Sequence, residues 1–275
     1  MWKRLCFVSA GLLLLANTPV NAHEMFLKPK KYNVAPNTEV IVELVNGTFE
    51  RSDNTIDRDR MIDVSVYGAG ERRHASAEDW RDIGKTSVLS GLVGDPGTYA
   101  IGVSTKPRLI TMTAESFIKY LEHDGVKDTL EEFRASNRTS DVRERYSKHV
   151  RTIVQVGDRP SDEFTKVLGY PIEIILERNP SDVTIGDAVP FRVFRNGEPV
   201  SGQLVYASYD GFHQHNDEGG HERAETIRTD KEGRGTFTAS KAATWYLTLI
   251  HMEELKDDPE AEYESNWSTL TFLIK

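Results

Sequence analysis

The sequence predicts a mainly β protein with two tandem immunoglobulin-like β-sandwich domains and a helical insertion in the first domain. Short alternating or β-branched runs recur along most of the 275 residues, and turns rich in glycine, proline and asparagine separate them. About seven such runs occupy roughly the last hundred residues, as in an immunoglobulin-like sandwich. Segments 96–103 and 243–250 also resemble each other, which favours two related sandwiches.

The first sandwich is predicted over residues 23–160. Its apolar positions alternate, which is typical of half-buried strands. The strands are expected at 24–31, 39–45, 62–67, 86–92, 98–104 and 152–156.

Before the last of these strands the apolar residues adopt helical spacing. Thr113 can act as an N-cap, and Gly125 is a natural stop for the helix. A second helix is expected at 126–134 and a third at the charged stretch 140–149. The helical insertion therefore covers about 107–150.

The second sandwich is predicted over residues 161–275, after a polar stretch with glycine and proline at 157–171. In its strand at 244–252, Trp245, Leu247 and Leu249 share one face with His251. The strands are expected at 172–177, 189–195, 203–209, 235–239, 244–252 and 268–275.

The first 22 residues have the pattern of a secretory signal peptide. Lys3 and Arg4 precede an apolar stretch that is too short to cross a membrane, and the small residue Ala22 fits a cleavage site. We therefore expect a periplasmic protein whose mature chain begins at His23. The single cysteine, Cys6, leaves with this segment, so the mature chain should have neither a disulfide nor a thiolate ligand.

The formal net charge of −9 counts Lys3 and Arg4, so the mature chain is more acidic still. An acidic surface disfavours nucleic acid and anionic lipid as partners, because both require a basic face. No later stretch is apolar enough to span a bilayer, so membrane insertion is not expected.

Three of the eight histidines, His213, His215 and His221, lie in one polar stretch at 211–222. An extended run at 203–209 leads in, a polar segment at 224–230 leads out, and the turn formers at 216–220 between them predict a long hairpin loop. In an extended backbone His213 and His215 project from the same face, and neutral imidazoles suit zinc, copper, nickel or iron. The alternative is a solvated polar loop that is rich in histidine by chance.

Two further histidines are candidates. Cleavage after Ala22 would leave His23 with a free α-amine and an imidazole that together chelate one ion, and another imidazole would complete a three-nitrogen set suited to Cu(II) or Ni(II). The alternative is that His23 merely follows the cut. His251 ends an apolar strand face, where a hydrogen-bonded core residue and a ligand both remain open. His123 and His149 are expected to be surface polar residues or hydrogen-bond partners at helix ends.

Short motifs spread over nearly the whole mature chain form a recognisable series. They are AHEMFL (22–27), VNGTFE (45–50), PR (107–108), FIKYL (117–121), YSK (146–148), VQVG (154–157), GYPIE (169–173), NGEPV (196–200), HME (251–253) and WSTL (267–270). In this order they resemble a family of bacterial exported proteins associated with nickel uptake or nickel/cobalt transport. The resemblance implies metal uptake across the outer membrane and immunoglobulin- or transthyretin-like domains. It also implies that the recurrent histidines of the family match His23, His251 and the loop with His213, His215 and His221.

Together these patterns predict a periplasmic protein, not an enzyme, that binds a divalent transition metal ion such as nickel, cobalt or copper. It would support uptake or delivery through an outer-membrane receptor or an inner-membrane metal transporter. Two alternatives remain open: a copper-dependent oxidative enzyme with an N-terminal histidine site, and a structural or carbohydrate-binding sandwich. The expected metal ligands are His23, His213, His215, His221 and His251.

Overall fold

The computed structural model describes residues 24–212 and 223–275, and strands dominate both ranges. The helices are α1 (Ala114–His123) and α2 (Lys127–Ala135). The strands are β1 (Glu24–Pro29), β2 (Asn33–Val34), β3 (Thr38–Gly47), β4 (Met61–Gly68), β5 (Glu71–His74), β6 (Trp80–Ile83), β7 (Thr86–Val93), β8 (Gly97–Thr105), β9 (Arg108–Met112), β10 (Val142–Val156), β11 (Ile172–Leu176), β12 (Ala188–Arg195), β13 (Glu198–Pro199), β14 (Leu204–Tyr209), β15 (Glu225–Arg228), β16 (Arg234–Thr238), β17 (Ala243–Glu254) and β18 (Tyr263–Ile274).

A large central sheet combines strands from both halves of the chain. Its order is β15-β14-β17-β18-β10-β8-β4-β5, with β2 and β9 also paired to β10. The halves meet where β10 and β18 run parallel, from Glu144↔Tyr263 to Thr152↔Thr271. A first outer sheet has the order β1-β3-β7-β6, and a second is β11-β12-β13 with β16 on β12. The predicted domain boundary at residue 160 stays a prediction.

The two outer sheets pack against opposite faces of the central sheet. Side chains alternate along β10, so Val150 and Val154 point into the core shared with β1, β3 and β7, whereas Ile153 points into the core shared with β11 and β12. The helices cover the end of the first of these faces, where Phe117 and Phe133 pack on Tyr263. Each face of the sheet therefore has its own apolar core.

The strand predictions are confirmed along most of the described chain, since the observed strands overlap every predicted one. The first two predicted helices are confirmed as α1 and α2. The third helix, at 140–149, was wrong, because this stretch is the first half of β10. Ile62 also differs from its alternating pattern: the register shifts between Met61 and Asp63, and Ile62 becomes 60% exposed.

A buried ion pair fixes the segment between β10 and β11. Arg151 on β10 lies 3.4 Å from Glu173 on β11 and donates to the carbonyl oxygens of Phe164 and Lys166. The Glu173 carboxylate accepts hydrogen bonds from the backbone N–H groups of residues 168, 169 and 170. Both charges are almost fully buried and each binds several partners, which offsets the cost of removing them from water.

Replacing Arg151 by Met should destabilise the protein strongly, because Glu173 would remain charged and buried without its cation. We expect a loss of about 3–5 kcal/mol in the free energy of unfolding, measured by urea denaturation. The matched control is Lys119→Met, which removes an exposed ion pair with Glu115 and should leave the midpoint unchanged. An equal effect of the two substitutions would contradict the role assigned to Arg151.

Candidate functional site

The structure describes the base of the predicted histidine loop. Strands β14 and β15 pair in an antiparallel hairpin from Ala207↔Glu225 to Leu204↔Arg228, which confirms the predicted hairpin. Four of the five predicted ligands, His23, His213, His215 and His221, lie outside the described residues. Their role as metal ligands therefore stays a prediction. The described residues that follow them in the chain are Glu24, directly after His23, and Arg223, two residues after His221.

The first described residue contacts the residue at which the chain resumes after the loop. The Glu24 carboxylate lies 3.0 Å from the Arg223 guanidinium, and both side chains are more than four-fifths buried. The negative charge of Glu24 raises the pKa of Arg223, and the Tyr246 hydroxyl contributes in the same direction. Beneath the pair, Phe26, Phe49 and Tyr246 pack ring against ring. The ion pair between Glu24 and Arg223 therefore lies against a cluster of three packed aromatic rings.

His251 lies on the other face of the central sheet. It follows Leu247 and Leu249 on the face that packs against the second outer sheet, whereas Tyr246 faces Arg223. Its Nδ1 is 2.8 Å from Gln203 Oε1, and its Nε2 is 3.3 Å from Glu253 Oε1. Burial lowers the pKa of His251, and the nearby Arg195 charge adds to this effect. The side chains of His251 and Tyr246 therefore point to opposite faces of β17.

A row of buried polar side chains runs along β10 below the helices. The Glu144 carboxylate accepts hydrogen bonds from Tyr120 (3.0 Å) and Ser265, and burial raises its pKa to about 7. Four residues further along β10, the Lys148 ammonium donates a hydrogen bond to Asn46 Oδ1 at 3.0 Å, and burial lowers the pKa of Lys148 to about 7. Because Glu144 and Lys148 are four residues apart, the charged stretch fitted a helix in the sequence as well as a strand face.

A histidine–carboxylate pair closes the end of α1. His123 is the last helical residue, and its Nδ1 lies 2.9 Å from Oδ1 of Asp124, the C-cap residue. The Asp124 hydrogen bond raises the pKa of His123, and burial raises the pKa of Asp124. The charges of Glu24 and Arg223 also shift the pKa values of both residues, so the four side chains share one electrostatic environment.

His149, expected at the surface, is buried on the opposite face of β10. Its Nδ1 is 2.9 Å from Ser104 Oγ, and its Nε2 is 3.0 Å from Ser147 Oγ and 3.2 Å from Asn266 Oδ1. Burial lowers the pKa of His149 to about 4, so the ring is neutral at physiological pH. These bonds join β8, β10 and β18, which makes His149 a structural residue.

The donor atoms of the described residues give a partial fit to a metal ion. Within residues 24–212 and 223–275, no group of three or more His, Cys, Asp and Glu side chains is arranged to hold one. The His123–Asp124 pair nevertheless offers an imidazole beside a carboxylate, and Asp124 Oδ2 is buried without a hydrogen-bond partner among these residues. The sequence did not single out this pair, because it offers no set of ligand residues around His123 at metal-ligand spacing.

Comparisons with known proteins give a family but no activity. A family model described as a domain of unknown function (DUF4198) matches residues 20–253. No curated protein matches the sequence significantly. Within the described part of the chain, neither helix is long and apolar enough to cross a membrane.

Several solved structures overlap with this one only loosely. The D0-D1 domain of intimin is 11% identical with a TM-score of 0.21, over 90% of this chain and 97% of that one. Trypsin-activated alpha-2-macroglobulin from Escherichia coli is 11% identical with a TM-score of 0.25, over 94% of this chain and 16% of that one. The adhesin InvE of Yersinia pseudotuberculosis is 9% identical with a TM-score of 0.21, over 91% and 58%. Overlaps this low support no argument about fold or function.

Replacing Glu144 by Gln should change stability in a pH-dependent way. The folded pKa of Glu144, about 7, lies above its unfolded value of 4.5, so its contribution is fully present below pH 4.5 and is lost as the pH rises through 7. Glu144→Gln keeps an oxygen acceptor without the buried charge. We expect it to be more stable than wild type above pH 7, by up to about 3 kcal/mol, and equal to it only below about pH 4. Urea denaturation across this range measures the difference.

The control for this substitution has the opposite sign. A hydrogen bond from Arg143 lowers the pKa of Glu262 to about 2, so its stabilising contribution is present above pH 4.5 and is lost as the pH falls towards 2. Glu262→Gln should therefore be less stable than wild type at neutral pH and approach it in acid. A stability difference for Glu144→Gln that does not change with pH would show that its carboxylate is not held protonated.

Proposed function

We propose that this chain, which belongs to the DUF4198 family of domains of unknown function, is a periplasmic protein that binds a divalent transition metal ion and supports its uptake or delivery. The ion is nickel, cobalt or copper. The proposed ligands are His23, with its α-amine after signal-peptide cleavage, and His213, His215 and His221 of the hairpin loop. Family membership names no activity, so the proposal depends on the residues themselves.

One contact carries the proposal, the ion pair between Glu24 and Arg223. His23 directly precedes Glu24 in the chain, and His221 precedes Arg223 by two residues. Each residue spans at most about 3.8 Å along the chain, so the contact limits how far apart these two histidines can lie. Because the pair is largely buried and lies against packed aromatic rings, it holds together the points of the chain that follow His23 and the histidine loop.

The proposed donor set favours particular ions. An α-amine and several imidazoles, without thiolates, suit Cu(II), Ni(II) and Co(II), and affinity should be greatest for copper in this group. The acidic chain adds a long-range attraction for cations. Protons compete with the metal for the same nitrogen atoms, so affinity should fall as the pH drops below neutral.

We leave His251 out of the proposed site. Its side chain points to the other face of β17 from Tyr246, and Gln203 and Glu253 lie within hydrogen-bond distance of its two ring nitrogens.

We also propose a more specific fold, with two immunoglobulin- or transthyretin-like sandwiches in tandem at 23–160 and 161–275. The two apolar cores on opposite faces of the central sheet are the support for this division.

A metal titration of the processed protein tests the proposal. The protein is produced with its leader, its start at His23 is checked by mass spectrometry, and bound metal is removed with a chelator. We expect one equivalent of Cu(II), Ni(II) or Co(II) to bind with micromolar or tighter affinity in isothermal titration calorimetry, which corresponds to about −8 kcal/mol or better. His23→Ala and the triple substitution of His213, His215 and His221 by Ala should each weaken binding about tenfold or more.

His251→Ala is the matched control and should bind like wild type. Absence of binding by the wild-type protein would rule out the proposed function and favour a structural or carbohydrate-binding sandwich. Oxygen consumption by the copper-loaded protein with a reductant would instead indicate the oxidative enzyme. Loss of binding only in His251→Ala would contradict the ligand set given above.

A further inference from the structure

The two sheets that enclose the first apolar core end on the same side of the protein, and a cleft opens between their edges. On this side the central sheet ends at β5, and the first outer sheet ends at β6. The chain passes from one edge to the other through the short turn Ala77–Asp79. The cleft has a volume of about 570 Å³, which lies within the range of about 300–1,000 Å³ that is typical of small-molecule sites.

The floor of the cleft is apolar and contains a tryptophan. Trp80 on β6 pairs directly with Leu89 on β7, and both side chains belong to the first core. Val66 of the central sheet also lines the floor and packs against the same core. The Arg58 guanidinium lies 4.9 Å from the centre of the Trp80 ring, and a hydrogen bond fixes that guanidinium to Asp82. An apolar group can therefore pack on a surface whose orientation is fixed.

A glycine leaves the floor of the cleft open. Gly91 on β7 lies directly opposite Val40 on β3, and Val40 faces the first core, so Gly91 lies in the core-facing row between Leu89 and Val93. A Cβ atom added to Gly91 would meet no heavy atom within 4 Å beyond its neighbours in the chain. Glycine inside a strand weakens the strand and often marks a place where a ligand approaches closely. The space at Gly91 therefore extends the cleft towards the core.

Charged side chains of both signs line the cleft above this floor. Arg81 on β6 donates to Ser90 Oγ at 2.6 Å, which uses one of the five N–H donors of its guanidinium. Glu39 and Glu78 also line the cleft, and neither carboxylate has a hydrogen-bond or ion-pair partner among residues 24–212 and 223–275. The other titratable residues of the lining, which have partners elsewhere in the fold, are Arg73, His74 and Asp79. A ligand with one anionic and one cationic group would match both kinds of side chain.

We propose that this cleft binds a free amino acid with a large apolar side chain. The apolar side chain packs against Trp80 and fills the space at Gly91. The carboxylate accepts hydrogen bonds from Arg81, and the ammonium group donates to Glu39 and Glu78, in charge-assisted bonds that are stronger than neutral ones. A ligand without charged groups would instead remove these carboxylates from water without a partner, which is unfavourable. The cleft shares no residue with the proposed metal site, so each proposal can fail without the other.

Isothermal titration calorimetry of the metal-free mature protein with three related compounds tests the proposal. L-Phenylalanine carries both charges, 3-phenylpropanoate lacks the ammonium group, and 2-phenylethylamine lacks the carboxylate. We expect phenylalanine to bind with a dissociation constant of about 1 mM or tighter, and each of the other two compounds to bind about tenfold more weakly. Absence of phenylalanine binding by the wild-type protein, or equal binding of all three compounds, would overturn the proposal.

Gly91→Val should prevent binding and preserve the fold. Its side chain fills the cleft, and a β-branched residue suits a strand, so the melting temperature should stay the same or rise while the affinity for phenylalanine falls about tenfold or more. Gly94→Val is the matched control, because Gly94 also has open space at the Cβ position but lies outside the lining, and it should bind phenylalanine like wild type. A folded Gly91→Val protein with wild-type affinity would show that the ligand does not occupy the cleft.

Arg81→Gln changes an exposed side chain and tests the charged contacts without altering the floor. The affinities for phenylalanine and 3-phenylpropanoate should fall about threefold to tenfold, while that for 2-phenylethylamine stays unchanged, because only a carboxylate contacts Arg81. The control Lys85→Gln removes a positive charge from the turn between β6 and β7, outside the lining, and should leave all three affinities unchanged. An equal loss for all three compounds in Arg81→Gln, or no loss for any of them, would contradict the proposed binding mode.

Discussion

The parallel pairing of β10 with β18 is the constraint on which the rest of the structure depends. It joins strands from the two halves of the chain into one sheet, and it sets the faces of both strands at once. With that register, Val150 and Val154 enter one apolar core and Ile153 enters the other. The Arg151–Glu173 pair then holds the connection to β11 beneath the second face. A shift of one residue would exchange these faces and expose both cores.

The same register creates a polar interior at the end of the sheet. On β10 it places Glu144 and Lys148 under the helices, beside Ser265 and Trp267 of β18. Burial raises the pKa of Glu144 and lowers the pKa of Lys148, so it disfavours the charged form of both side chains. An apolar strand would be more stable at these positions, and polar groups retained at such a cost commonly accompany function. Tyr246, which interacts with Arg223, points to this face of the sheet.

A few polar contacts connect the described residues that border the proposed metal site. Glu24 and Arg223 join the start of β1 to the end of the loop, and Tyr206 and Arg228 attach the helix turn to the hairpin. Fixed attachment points reduce the conformational entropy that a loop loses when it binds an ion. They also make the site sensitive to the fold, because β1, the helices and the hairpin come from distant parts of the chain. The His251 side chain, although it belongs to β17 in the same sheet, points to the opposite face from Tyr246.

The sequence by itself determined the mainly β character, the positions of twelve of the eighteen described strands, the two helices and the position of the histidine hairpin. These features follow from local rules, the period of two in strands, the period of 3.6 in helices and the turn residues between them. Only the tertiary structure decided that 140–149 is a strand, that His149 is buried, that His251 and Glu24 lie on opposite faces, and that His123 stands beside a buried carboxylate. The physical reason is that the pairing and burial of β10 depend on β18, which lies far from it in the chain and leaves no periodic signal in the residues of β10.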